Sequence, residues 1–323
     1  MMSDKLVVVV TRKLPPAVEE RLSRDYEPRF NADDRQYSTK ELIDLAQGAY
    51  AILPCHTEKL TADVISRLPV SVKAIVNFSV GVDHVDLAAA KACNIIVTNT
   101  PDVLADATAE IAMLLILGAA RRAGEGERLI RAGKWESWSP TFMIGRQVTG
   151  KRLGIVGMGR VGQVTARRAR GFDMTVLYSN RNRLAREQEQ GAKYYESVEE
   201  MLPHCDYLAL HCPATPETRN LLNAERIALL PDGAIVVNTA RGSVIDDEAL
   251  VAALKSGKIA AAGLDVFNGE PNNIHPGYRE LENTFLLPHI GSATFETRDA
   301  MGYRALDNLD AIAAGREPRD RVA

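Results

Sequence analysis

The sequence predicts an α/β fold in which two doubly wound parallel sheets form two domains with a cleft between them. Three observations carry this prediction. At 323 residues the chain is long for a single domain. Short apolar runs of strand length alternate with amphipathic segments throughout, the order that builds parallel sheets. The stretch 151–183, KRLGIVGMGRVGQVTARRARGFDMTVLYSNRNR, holds a complete strand, glycine turn, helix and strand.

Residues 6–11 are a β-branched run, and Pro15-Pro16 opens an amphipathic segment that lasts to Arg24. Ser38-Thr39-Lys40-Glu41 has the spacing of a capping box, and Gly48 closes that helix. Residues 49–53, 73–78 and 95–98 complete a first set of strands. Ser79, Val80 and Gly81 follow one of them at its carboxyl end, where open parallel sheets bind ligands; they are candidate substrate contacts, although a plain connecting turn fits the same spacing. Residues 102–122 are apolar nearly all round, which predicts a helix buried in a core or against a second subunit. Trp135 and Trp138 lie in an irregular segment and read either as packing anchors or as walls of a ligand site. Further strands fall at 206–211, 234–239, 261–266 and 284–287. Asn223 and Asp246 can cap the helices between them, and Pro231-Asp232-Gly233 and Gly257 can stop them.

Strand 152–156 runs directly into Gly157-Met158-Gly159-Arg160-Val161-Gly162. In that context Gly157 allows the tight turn, Gly159 lets the backbone approach a pyrophosphate, and Gly162 lets helix and strand pack closely. The phosphates would sit on N–H groups at the helix N-terminus, where Arg160 and Val161 lie. The full unit reads as a Rossmann-like dinucleotide site, with an ordinary glycine-rich turn of an α/β protein the alternative. The acid that would hold the ribose 2′-OH of NAD is missing; Asn180 stands there, within Ser179-Asn180-Arg181-Asn182-Arg183. A hydroxyl, an amide and two guanidiniums suit a 2′-phosphate, so NADP(H) is expected in preference to NAD(H), with solvated loop charges the alternative reading of Arg181 and Arg183.

Thirty-nine Lys and Arg against 42 Asp and Glu leave a formal charge of −3, which gives no electrostatic case for nucleic acid or an anionic membrane. Cys55, Cys93, Cys205 and Cys212 show no zinc spacing; they read as reduced thiols of a cytoplasmic protein, and no metal is expected. There is no signal-like N-terminus, and the apolar stretch around 111–120 falls short of the ~20 residues a membrane helix needs.

Arg241, Glu270 and His289 each sit just past an apolar run, so parallel strands would bring all three to one edge. An anchor for a carboxylate, a carboxylate and an imidazole are what reduction of a 2-oxo acid requires. Arg241 would grip the substrate carboxylate, His289 would donate the proton, and Glu270 would orient His289 and favour its charged form. A surface ion pair or a loop end would explain Arg241 or Glu270 equally simply. His211, before Cys212-Pro213, competes with His289 and is better read as structural or adenine-side.

These motifs resemble the D-2-hydroxyacid dehydrogenase family, through residues 154–162, 201–223, 230–250, 263–271 and 287–292, and through Val80-Gly81-Val82-Asp83. The resemblance implies Arg241 as substrate anchor, Glu270 and His289 as the acid–base pair, and the Val80 and Gly81 amides as carboxylate donors. It places Thr108, Ala240 and Asp265 near the nicotinamide and Pro213 near the adenine, with Cys212, Thr239 and Gly291 beside them. The segment Trp135-Glu136-Ser137-Trp138-Ser139-Pro140 resembles the glyoxylate/hydroxypyruvate reductase branch, in which the second tryptophan reaches the partner subunit's active site and limits substrate size. Formate dehydrogenases carry Gln where Glu270 stands, and phosphoglycerate dehydrogenases often add a C-terminal domain. The resemblance also implies a flavodoxin-like substrate domain of residues 1–100 plus 290–323, a nucleotide domain of 101–289, and a homodimer through the latter. The expected activity is NADPH-dependent reduction of glyoxylate and hydroxypyruvate to D-2-hydroxy acids; an NAD-linked D-lactate-type dehydrogenase and a non-catalytic dinucleotide sensor are the alternatives.

Overall fold

A computed structural model describes residues 5–323, which divide into two compact units: the described residues up to Leu104 together with Ala293–Ala323, and Ala105–Ser292. The first unit holds β1 (Val7–Val10), β2 (Glu27–Arg29), β3 (Ala51–Leu53), β4 (Ala74–Val76) and β5 (Ile96–Thr98), all parallel in the order β2-β1-β3-β4-β5. Its central strands are buried on both faces, which is why they read as continuous apolar runs. One apolar layer packs under the helices Pro16–Asp25 and Phe295–Ala313, the other under Thr39–Leu45, Ala62–Ser66 and Leu87–Ala92. The capping box at Ser38 and Glu41 forms as expected. β2 is an addition to the strands expected from sequence. Glu-Pro-Arg carries no apolar signal, and its proline, which lacks a donor, is tolerated because the strand lies at the sheet edge.

The second unit holds β6 (Arg152–Val156), β7 (Thr175–Ser179), β8 (Lys193–Tyr195), β9 (Tyr207–Leu210), β10 (Ala234–Asn238), β11 (Ile259–Leu264) and β12 (Thr284–Leu286). The order is β12-β11-β10-β9-β6-β7-β8, again all parallel. The chain moves outward from β6 through β7 to β8, then resumes on the other side at β9. The point of reversal lies between β6 and β9, where doubly wound sheets bind ligands past the strand ends. β8, a short edge strand, was not legible in sequence. β11 starts at Ile259 rather than 261 and ends at Leu264, so Asp265 stands past the strand end rather than inside it.

The apolar helix spans Ala105–Ala120 and packs on the helix Arg160–Arg170 and on β10 and β11. Leu115 and Ile116 are fully buried, so much of its apolar surface belongs to the core of this unit. All four cysteines are free thiols. No helix among the described residues is long and apolar enough to cross a membrane.

Candidate active site

The three glycines of the turn after β6 differ in their surroundings. Gly157 has φ +94°, and a Cβ there would stand 2.5 Å from the Cys212 backbone nitrogen. At Gly162 a Cβ would meet the Gly157 carbonyl oxygen at 2.4 Å, whereas at Gly159 it would meet no atom of the chain within 4 Å. Turn, open approach and close packing are therefore separate requirements met at separate positions. Gly159 caps the helix Arg160–Arg170, whose first-turn N–H groups are the ones a phosphate could occupy. Val161 lies in that first turn with Arg160. The cradle fits a dinucleotide, which when bound supplies or accepts a hydride at its nicotinamide.

The adjoining loop requires corrections. Arg183, expected at a 2′-phosphate, is held by Glu189: Nε donates to Oε1 at 2.7 Å and a second guanidinium nitrogen to Oε2 at 3.1 Å. The Tyr178 hydroxyl donates to the same carboxylate at 2.7 Å and accepts the Leu184 N–H at 3.2 Å. Arg183 thus braces the loop, and its guanidinium pulls the Glu189 carboxyl well below the usual carboxylate range, to about 2. Asn180 also turns inward, its Oδ1 accepting the Met158 N–H at 2.6 Å, while the Ser179 carbonyl accepts the Gly157 N–H at 3.1 Å. Both residues shape the glycine turn from β7. Arg181 remains an exposed cation of this loop.

Across the reversal point, Gly157 packs on the His211-Cys212 backbone. His211 Nδ1 lies 2.9 Å from the Thr239 hydroxyl, and among the described residues its buried Nε2 has no partner in the chain, as expected where a bound ligand supplies one. Pro213 accepts a hydrogen bond from Thr218 at 2.7 Å. Burial pushes the Cys212 thiol up to about 11, so it stays protonated.

Burial also pushes the His211 imidazole down, to about 4. The unfolded chain, with an ordinary histidine near 6.5, takes up the proton first as pH falls. This part of the stability is complete above about pH 6.5 and is lost on acidification towards pH 4. Thermal melts at pH 7.5, 5.5 and 4.5 should therefore show His211→Gln losing less stability on acidification than the parent; parallel curves would contradict the assignment.

Arg241, Glu270 and His289 follow β10, β11 and β12, so parallel order brings their loops to one sheet edge. Asn238, fully buried, builds the Arg241 turn: its Oδ1 accepts the Ala240 N–H at 2.9 Å and its Nδ2 donates to the Arg241 carbonyl at 2.9 Å. The Glu270 and His289 side chains meet directly, Oε1 to Nδ1 at 2.5 Å, and both are partly buried. Glu270 Oε2 accepts the Phe267 N–H at 2.8 Å, which fixes the carboxylate. With Nδ1 against the Glu270 carboxylate, the orientation of the His289 ring is fixed. Asp265, nearly fully buried, accepts the Ile290 and Gly291 N–H groups at 2.8 Å each, and the Thr108 hydroxyl donates to the Gly291 carbonyl at 3.1 Å. Sequence reasoning missed Asn238 and Glu189; an amide at the end of an apolar strand was the available signal for the first.

In the first unit, the loop after β4 is braced from within. The Ser79 hydroxyl donates to the Gly81 carbonyl at 2.7 Å and Asn99 Nδ2 to the Val80 carbonyl at 2.8 Å. The Ser79 hydroxyl is thus engaged within the loop itself. Among the described residues, the Val80 and Gly81 N–H groups donate to no acceptor of the chain. Buried Glu58, also missed, ties the ends of β1 and β3 together by accepting from the Thr11 hydroxyl at 2.7 Å and the Cys55 N–H at 2.9 Å. Neither tryptophan is a packing anchor within this chain: Trp135 is 55% and Trp138 74% exposed.

A dinucleotide cradle at the reversal point of a parallel sheet, with an arginine and a Glu–His pair on that sheet's carboxyl edge, defines a nicotinamide-dependent dehydrogenase. Residues 113–291 match the family described as D-isomer specific 2-hydroxyacid dehydrogenase, NAD binding domain. The chain is 45% identical over 314 residues to a glycerate dehydrogenase of Hyphomicrobium methylovorum, covering 97% of each chain. It is 40% identical over 316 residues to a glyoxylate reductase of Thermococcus onnurineus, covering 96% of this chain and 94% of the relative. A solved NADPH-dependent glyoxylate/hydroxypyruvate reductase from Sinorhizobium meliloti, in complex with NADP and malonate, superposes with a TM-score of 0.87 at 32% identity, over 99% of this chain and 97% of the other. The chain belongs to the D-isomer specific 2-hydroxyacid dehydrogenases.

Proposed function

We propose that this enzyme reduces glyoxylate and hydroxypyruvate to the corresponding D-2-hydroxy acids, with NADPH as the preferred donor. The observation that carries the chemistry is the Glu270–His289 contact at 2.5 Å on the edge that also bears Arg241. Arg241 binds the substrate carboxylate through its planar guanidinium. As hydride reaches the carbonyl carbon, the carbonyl oxygen takes the proton of His289 Nε2. Glu270 stabilises the imidazolium before transfer and holds the neutral ring afterwards. Thr108, Ala240 and Asp265 would hold the nicotinamide end of the dinucleotide and Pro213 its adenine end, with Cys212 among the residues that would line the site. The named activities of the relatives support the substrate class.

The missing acid at Asn180 and the exposed Arg181 support NADPH. The commitment of Arg183 to Glu189 favours a second reading, in which one cation gives only a modest preference and NADH is also used. Arg181→Ala should weaken NADPH binding by about 10-fold while leaving NADH nearly unchanged. Arg183→Ala should instead lower thermal stability and weaken both. A ratio unchanged in Arg181→Ala removes that residue from the 2′-phosphate.

The deciding experiment is steady-state reduction of glyoxylate, hydroxypyruvate and pyruvate with each dinucleotide, followed at the nicotinamide absorbance. Turnover of the first two with NADPH is expected. Preference for pyruvate with NADH would move the assignment to a D-lactate-type enzyme, and inactivity in every combination to a dinucleotide sensor. A homodimer is part of the proposal. The helix Ala123–Arg131 buries no residue, and Trp138 and Ile144 beyond it are exposed, which suits a segment covered by a second copy carrying Trp138 to its neighbour's site.

A further inference from the structure

We propose that Glu189 is a specificity-determining residue for the dinucleotide: it cancels the charge of Arg183 and holds that side chain back along the sheet, leaving a 2′-phosphate to Arg181. This rests on the reading of the loop 180–183 as the place where NADPH is told from NADH. β7 ends at Ser179, and in a doubly wound sheet the ribose that distinguishes the two dinucleotides is read just past that strand. Two arginines follow it, and their surroundings differ. Arg181 is exposed. Arg183 grips Glu189 with two nitrogens, Nε on Oε1 at 2.7 Å and Nη2 on Oε2 at 3.1 Å. Its guanidinium carbon also stands 5.4 Å from the centre of the Tyr194 ring. Tyr194 lies in β8 and pairs with Tyr178 of β7, one residue before that strand ends, so the guanidinium is folded back beside the two strands.

The two partners are unequal. The Arg183 side chain is 61% exposed, whereas Glu189, at the end of the short helix Arg186–Glu189, is 6% exposed. Glu189 is also fixed from other directions. The Tyr178 hydroxyl donates to Oε1 at 2.7 Å, and Arg170 Nη2 donates to the Glu189 carbonyl at 3.0 Å. The bonds from Arg183 and then Tyr178 hold the carboxyl at about 2, so it is charged at any working pH. An exposed ion pair exchanges partners at little cost, but here a phosphate that took Arg183 would leave a buried carboxylate without its cation. That penalty keeps Arg183 on Glu189 despite its exposure.

The test measures Kd for NADPH and for NADH by calorimetry, with thermal melts, in the parent, Glu189→Gln, Arg183→Ala, the double variant and Tyr178→Phe. Glutamine keeps an acceptor for the Tyr178 hydroxyl and removes the charge. Glu189→Gln should therefore shift the ratio of the two Kd values about 10-fold towards NADPH. Arg183→Ala in the Glu189→Gln background should return the ratio to that of the parent. Arg183→Ala alone should weaken both dinucleotides and leave the ratio within about 2-fold, a result that does not depend on the folding of Glu189→Gln. Tyr178→Phe loosens the loop but keeps the ion pair, so its ratio should match the parent's. An equal shift in Tyr178→Phe and Glu189→Gln would make Glu189 a structural brace and overturn the proposal. An unmoved ratio in folded Glu189→Gln, or a ratio lowered several-fold by Arg183→Ala alone, would also overturn it. A parent that binds NADH more tightly than NADPH would instead defeat the proposed NADPH preference, and the role of Glu189 stands in that case if Glu189→Gln still moves the ratio towards NADPH.

Discussion

His289→Asn is expected to lower kcat/KM for 2-oxo acid reduction by about 10³-fold while leaving the Kd for NADPH within about 3-fold of the parent. Asparagine can accept the left-handed backbone at this position better than most residues, so the turn with φ +55° survives the change. What disappears is the proton on Nε2 and the ring that Glu270 holds at 2.5 Å. Hydride transfer must then charge the carbonyl oxygen without a donor beside it, and the loss falls on the chemical step. Single-turnover absorbance of bound NADPH, with Kd measured separately by fluorescence, separates the two. Equal loss of binding and turnover would make His289 a structural residue.

Gly157→Ala should weaken dinucleotide binding by about 100-fold or more and destabilise the fold by about 2–4 kcal/mol. The added methyl would stand 2.5 Å from the Cys212 nitrogen and 2.7 Å from its Cα, on a residue already at φ +94°. Those neighbours are backbone of the next strand end, so they cannot yield as a flexible side chain would. Gly159→Ala is the informative contrast. Its methyl would meet no atom of the chain within 4 Å, so melting temperature should be almost unchanged. Dinucleotide affinity should still fall, because that open space is where the backbone is proposed to approach the pyrophosphate. Calorimetry with NADPH and thermal melts of both variants check this pair, and normal binding by Gly159→Ala would remove the cradle as the phosphate site.

The contrast between these glycines shows how legible the nucleotide site was. Strand, turn and helix follow one another directly in the chain, so spacing alone assigned a different duty to each of Gly157, Gly159 and Gly162, and the surroundings of each agree with it. Arg241, Glu270 and His289 could be placed on one edge for a similar reason, since every parallel strand presents its carboxyl end there. The edge strands β2 and β8 were illegible because three-residue strands paired on one side need no apolar alternation.

Periodicity, caps and glycine spacing report burial and backbone conformation within a few residues, and they were enough to specify the α/β class and the strand, glycine turn and helix of the second unit. The partners of the polar side chains were decided only when the strand order was assembled. Arg183 and Asn180 read as phosphate ligands until Glu189 and the Met158 amide claimed them, and Asp265 read as a strand residue until it proved to grip the amides of Ile290 and Gly291, 25 and 26 positions away. A charged group or an amide can satisfy itself with any suitable neighbour, and which neighbour it meets is set by the loops that non-consecutive strands bring to the same edge.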